Sequence, residues 1–128
     1  MPPQMRLTAI TLDCPDPLAL SAFYQQATGL APHPESNAEF AGLRDADGGG
    51  SGLVLGFQRV GEYRAPTWPD QIVPQQLHLC FAVDDLDEAE ERLVGLGAGK
   101  PERQPCEGRW RVLVDPAGHP FCLVGGGG

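Results

Sequence analysis

Nowhere in the chain do apolar residues run for the roughly 18 positions a membrane-spanning helix needs. The opening MPPQMRL also has neither the basic nor the hydrophobic region of a secretory leader. A cytoplasmic location with no membrane partner is therefore expected. Positive charge is scarce as well: nine Lys and Arg stand against seventeen Asp and Glu, a formal net charge of −8. Phosphate backbones would repel such a surface, which argues against nucleic acid and leaves small molecules or proteins as partners.

The four cysteines, at positions 14, 80, 106 and 122, show no CxxC and no metal-knuckle spacing. In a reducing compartment they are expected to be buried free thiols. No GK[ST] follows the glycine run GGGSG at 48–52, so that run is a turn rather than a phosphate loop. The acidic run DDLDEAEE at 84–91 suits a helix N-terminus with a solvated face, and is not a calcium site.

What the chain does have is a duplicated order of elements. At 128 residues, 41% of them hydrophobic, it can bury one ordinary core without disulfides or metals. AITLDCPD at 9–16 lies over HLCFAVDD at 78–85, each a strand-like segment that ends on an aspartate. A helix is predicted after each. In the first, Asp16 is the N-cap and Pro17 the first helical residue, Leu20, Phe23, Tyr24 and Ala27 share a face, and Gly29 closes the helix. In the second, Asp85 and Glu88 resemble a capping box, Leu86, Ala89, Leu93 and Leu96 form the apolar stripe, and Gly97 ends it.

Short strands are predicted at 40–44 and 110–114, then turns DADG at 45–48 and DPAG at 115–118, then apolar runs at 53–57 and 121–124. Each half thus reads βαβββ. The first module covers 1–60, a linker with three prolines covers 61–74, the second module covers 75–124, and 125–128 is a flexible glycine tail.

Paired βαβββ modules, with DPAGHPFCLV, WPDQ and QQLHLCFAVDDLD, resemble the vicinal oxygen chelate superfamily of glyoxalases, bleomycin-resistance proteins and extradiol dioxygenases over residues 5–124. The resemblance implies an α+β fold of two tandem βαβββ modules forming a half-open β-cup. It further implies a divalent metal in the cup, held by a histidine or equivalent on the first strand of each module and a glutamate or equivalent on the last.

Against that pattern His78 occupies one first-strand position, and alternation turns it with Cys80 and Ala82 away from Leu79, Phe81 and Val83. The matching position in the first module is Ala9, which has no donor atom. No histidine occurs in 5–12, no carboxylate or histidine in 51–60 where Gln58 is the one weak donor, and the last glutamate position holds Cys122. Two ligands make a poor site, so no metal and no other cofactor is expected.

His78 is read as a pocket or hydrogen-bonded strand residue, His119 as a loop residue, and His33, between two prolines, as exposed and silent. Cys80 shares a strand face with His78, but side chains two apart are expected to splay rather than meet. Thr11 and Asp13 lie on the cup side of their strand, where Asp13 is a general base, a polar contact or a solvated strand-end acid. Phe57, Trp68 and Trp110 either line an apolar pocket or, for Phe57 and Trp110, belong to the core.

The candidate ligand-binding set is therefore His78, Cys80, Thr11, Asp13, Phe57, Trp68, Trp110 and Cys122, with no catalytic residue assigned. Two functions fit. One is a metal-independent protein that binds a flat or aromatic small molecule in the cup; the other is a metal-dependent lyase, isomerase or dioxygenase of glyoxalase type. A homodimer is expected in either case, because sheet edges and the linker are exposed.

Overall fold

The computed structural model describes residues 5–45, 52–105 and 108–125, so most of the DADG turn, the glycine run but for Gly52, Cys106 and residues 126–128 fall outside it. The chain divides into two units, Met1–Tyr63 and Arg64–Gly128. The prolines at 66, 69 and 74, placed in a linker by the sequence, cluster with the second unit. There Thr67 and Val73 close a turn through Thr67 N–H to Val73 O at 2.8 Å and Val73 N–H to Thr67 Oγ1 at 3.0 Å.

In the first unit, strand β1 (Ala9–Cys14) alternates, burying Leu12 and Cys14 and exposing Ala9, Thr11 and Asp13. Helix α1 (Pro17–Thr28) starts as its sequence demands: Asp16 accepts a hydrogen bond from the Ala19 amide at 3.2 Å, with Pro17 in the first turn. It stops at Gly29, whose φ of 79° is left-handed and whose amide donates to Gln25 O at 2.9 Å. Leu20, Phe23 and Tyr24 form its buried face. Tyr24 stacks on Phe57 with ring centroids 5.7 Å apart and 9° between planes, and Phe23 meets Tyr24 edge-on at 5.0 Å.

Three further strands follow, β2 (Ala31–Pro32), β3 (Phe40–Arg44) and β4 (Val54–Arg59). The sheet order is β1-β4-β3-β2, with β1 and β4 parallel and the other pairs antiparallel. This unit is the predicted βαβββ module.

Among the described residues the second unit has one strand fewer than predicted. Its elements are β5 (Leu79–Val83), α2 (Leu86–Leu96), β6 (Trp110–Val114) and β7 (Pro120–Gly125), in sheet order β5-β7-β6, with β5 and β7 parallel. Gly125, assigned to the tail from sequence, closes β7.

Where the first unit carries β2, the second has a single bridge, Gly99 with Val114, their amides and carbonyls exchanged at 2.8 Å. Pro101 lies two residues on and has no amide to extend the ladder. The next pairing position of β6 is taken by a side chain instead. Gln104 donates through Nε2 to Val112 O and accepts at Oε1 from Val112 N–H, both at 2.9 Å. A carboxamide thus stands in for a strand's backbone along this edge.

Helix α2 is capped by Asp85, which accepts from the Glu88 amide at 3.0 Å. It is tied to β6 by Arg111, whose guanidinium meets Asp87 at 2.7 Å and Glu90 at 3.2 Å. The DPAG turn is held by Asp115, only 3% exposed, whose Oδ1 accepts from the Ala117 and His119 amides at 2.9 and 3.0 Å. Gly118 is required there. Its φ is 90°, and a Cβ would lie 2.7 Å from that of Ala65.

The Gln104 clamp gives a direct stability test. Gln104→Ala leaves both backbone groups of Val112 without protein partners and lowers the unfolding free energy by about 1–3 kcal/mol. Alanine at the exposed Gln71 changes it by less than about 0.5 kcal/mol. Urea unfolding of the two variants measures the difference.

Candidate functional site

Directly opposed residues in a sheet put their side chains on one face, so pairing register decides which chemistry shares a surface. In the second unit Cys80 is paired with Cys122, and Cys122 in turn with Val112. The neighbouring row is Ala82, Val124 and Trp110. The opposite face carries Leu79, Phe81, Leu123 and Arg111, the last reaching the α2 carboxylates. Cys80 is exposed, as is His78 just before β5, whereas Cys122 is buried.

The ligating atoms of His78, Cys80 and Cys122 all lie within 4.8 Å of one another. This corrects two sequence expectations: Cys80 is not a buried thiol, and His78 and Cys80 do not splay apart. Positions two apart on a strand are roughly 6.6 Å apart at the backbone. An imidazole is long enough to cover much of that distance; Cys122 was already placed at the last-strand ligand position, and the β5–β7 pairing brings it beside Cys80.

Burial raises the Cys122 thiol from an ordinary 9.0 to about 11, with further upward contributions from the charge of an ionised Cys80 and a hydrogen bond with it. Cys122 is thus a neutral thiol at physiological pH.

The other predicted residues disperse. Thr11 and Asp13 are exposed on β1, opposite Gly56 and Gln58. Phe57 is corrected from ligand contact to core: it pairs with Leu12, is 0% exposed and stacks on Tyr24, so its ring faces α1 and away from Thr11 and Asp13. Trp110 is half-buried in the row beside the cysteines, and Trp68 is half-buried in the loop before the second sheet. His119 is half-buried, its amide on Asp115. His33, expected to be exposed, is half-buried: its amide donates to Gly42 O at 2.7 Å and its Nδ1 accepts from the Glu35 amide at 3.1 Å.

The structure adds a hollow that the sequence reading did not find. On the first unit's sheet a cavity of about 360 Å³ is lined by residues including Ala9, His33, Ser36, Phe40, Gly42 and Val54. Phe40 is 41% exposed there. Its ring lies across Gly56, where a Cβ would be 2.8 Å from Phe40 Cζ and 2.9 Å from Thr11 Oγ1. Phe40 is the exposed residue at the head of a strand buried from Ala41 to Leu43, and in the sequence, EFAGLR served only to mark that strand.

These donors fit a hard divalent cation poorly. Mg²⁺ and Mn²⁺ seek oxygen, and neither β4 (VLGFQR) nor β7 (PFCLVG) carries a carboxylate. Ala9 offers no donor, and the second sheet gathers nitrogen and sulfur instead.

A glyoxalase-like domain model matches residues 9–124. CFP32 of Mycobacterium bovis, for which the glyoxylase name is provisional, is 36% identical over 115 residues, covering 88% of this chain and 40% of its own; CFP32 of Mycobacterium tuberculosis matches to the same degree. The chain therefore spans 40% of the length of the curated relatives it matches. Among solved structures, a possible glyoxalase from Bacillus cereus superposes with a TM-score of 0.67 at 20% identity, covering 94% of this chain and 99% of that one. A mutant of the fosfomycin resistance protein FosX from Listeria monocytogenes, complexed with Mn(II) and 1S,2S-dihydroxypropylphosphonic acid, superposes with a TM-score of 0.66 at 25% identity, covering 94% and 89%.

The raised Cys122 thiol fixes the sign of a pH effect. Unfolding favours its ionised form, so the stability it contributes is complete below pH 9 and is lost as pH rises through about 11. Wild type accordingly loses more stability than Cys122→Ala across that window. Chemical unfolding of both proteins on either side of it checks the difference.

Proposed function

The chain belongs to the glyoxalase-like domain family, and from that premise we propose that it binds a small flat or aromatic molecule without a hard divalent cation. The hollow around Phe40 carries this reading. Its volume of about 360 Å³ falls within the range of small-ligand pockets, and it combines an exposed ring with Ser36, His33 and Glu35 as polar groups at its edge. The absent side chains at Gly56 and Gly42 let Phe40 and Val54 settle close against the sheet, where both line the hollow. Ala9 lies in the lining, at a position where the family resemblance implies a metal ligand.

A second reading is supported by the relatives' names: a lyase, isomerase or dioxygenase that works through a divalent metal, as the Mn(II) complex of the fosfomycin resistance protein illustrates for that protein. The donor set counts against it, because neither β4 nor β7 brings a carboxylate to the sheets.

Calorimetric and thermal-shift screening of planar aromatic compounds, in buffer free of added Mn²⁺ and Mg²⁺, separates the two. Binding without those ions is expected, with about 2.7 kcal/mol of stabilisation at a ligand concentration of 100 Kd. Phe40→Ala is expected to weaken it by about tenfold or more. Binding or turnover that appears only when Mn²⁺ or Ni²⁺ is supplied would install the enzyme reading instead, and a panel with no binder at all counts against the proposal.

A further inference from the structure

We propose that the second sheet is a binding site for one thiophilic cation of the zinc class, held by His78, Cys80 and Cys122. Three donors of the right softness converge from two adjacent strands, all within 4.8 Å of one another. In a tetrahedral zinc site, bond lengths near 2.3 Å to sulfur and 2.0 Å to nitrogen place neighbouring donors roughly 3.5–3.8 Å apart. Closing from at most 4.8 Å to that spacing takes about 1 Å of side-chain rotation and no movement of strand pairing.

The backbone already fixes two corners, because Cys80 and Cys122 are register partners in the parallel β5–β7 ladder. Two sulfurs and one imidazole select zinc, cadmium or copper(I) over magnesium or manganese.

Exposure shows what kind of site this is. His78 and Cys80 are open to solvent while Cys122 forms the buried floor. An ion therefore has a route in, and a fourth coordination position faces water. Three protein ligands with one open position distinguish sites that bind or activate a molecule from closed structural sites, which have four. Binding of a divalent ion exchanges the two thiol protons for the metal, so two protons are released and the site's net charge is unchanged.

This inference is independent of the small-molecule reading, since the hollow around Phe40 lies in the first unit and these three residues in the second. Either can fail alone.

The test is titration of the reduced full chain with Zn²⁺ against a colorimetric chelator, and with Cd²⁺ while the ultraviolet thiolate-to-metal band is followed. One ion per chain is expected, with about two protons released per ion. Affinity should fall at least about tenfold in Cys80→Ser and in His78→Ala, and be retained in Cys106→Ser. A large excess of Mg²⁺ should not compete. Cys80 is exposed, so Cys80→Ser should unfold like wild type in metal-free buffer, which separates loss of a ligand from loss of fold. Absence of stoichiometric binding, or binding indifferent to Cys80→Ser, overturns the proposal. So would oxidation of Cys80 and Cys122 to a disulfide in the metal-loaded protein, because a bound ion protects both sulfurs.

Discussion

Everything at the candidate site depends on one constraint: in each unit the first strand runs parallel to the last, side by side. Parallel neighbours cannot be joined by a tight turn, so the connection must leave the sheet and return. Here it leaves through a helix, α1 or α2. The helix covers one face of its sheet and lends the strands a clear division between an apolar inner side and an open outer side. Asp16 and Asp85 begin those helices, and Gly29 and Gly97 end them. Without these stops the strands would not return in register, and the pairs Thr11 with Gly56 and Cys80 with Cys122 would not exist.

The two units use the same plan for different surfaces. In the first, glycines at 42 and 56 remove side chains from the open face, and an aromatic ring occupies the space. In the second, the corresponding ladder brings two sulfurs and an imidazole together. Carboxylates are absent from β4 and β7, and Gln58 is the one weak oxygen donor there, so these strands suit a hard divalent cation poorly. The fold is shared with solved structures at 20–25% identity, and a shared fold does not carry its chemistry with it.

Much of this was legible in the sequence because it is written in local signals. Both N-caps, both closing glycines, the strands at 40–44 and 110–114, and the facing of His78 with Cys80 follow from patterns a few residues long. The misreadings were non-local. Phe57 looks like any strand aromatic until its register with Leu12 sends it toward Tyr24. The missing strand of the second unit could not be foreseen, since it depends on a carboxamide at Gln104 clasping Val112 eight residues later. Cys122 was recognised as a substituted position, but only the parallel ladder shows that it faces Cys80.

That ladder is therefore the place to test the account. Shifting β5 by one residue against β7 would turn Cys80 toward α2 and bring Leu79 and Phe81 to the open face. Nuclear Overhauser contacts in the reduced, metal-free protein distinguish the two arrangements. The parallel register predicts close contacts among the Cys80 and Cys122 β-protons and the His78 ring protons, with none from Cys80 to Leu93. Contacts from Cys80 to the α2 side chains, and none to Cys122, would contradict it.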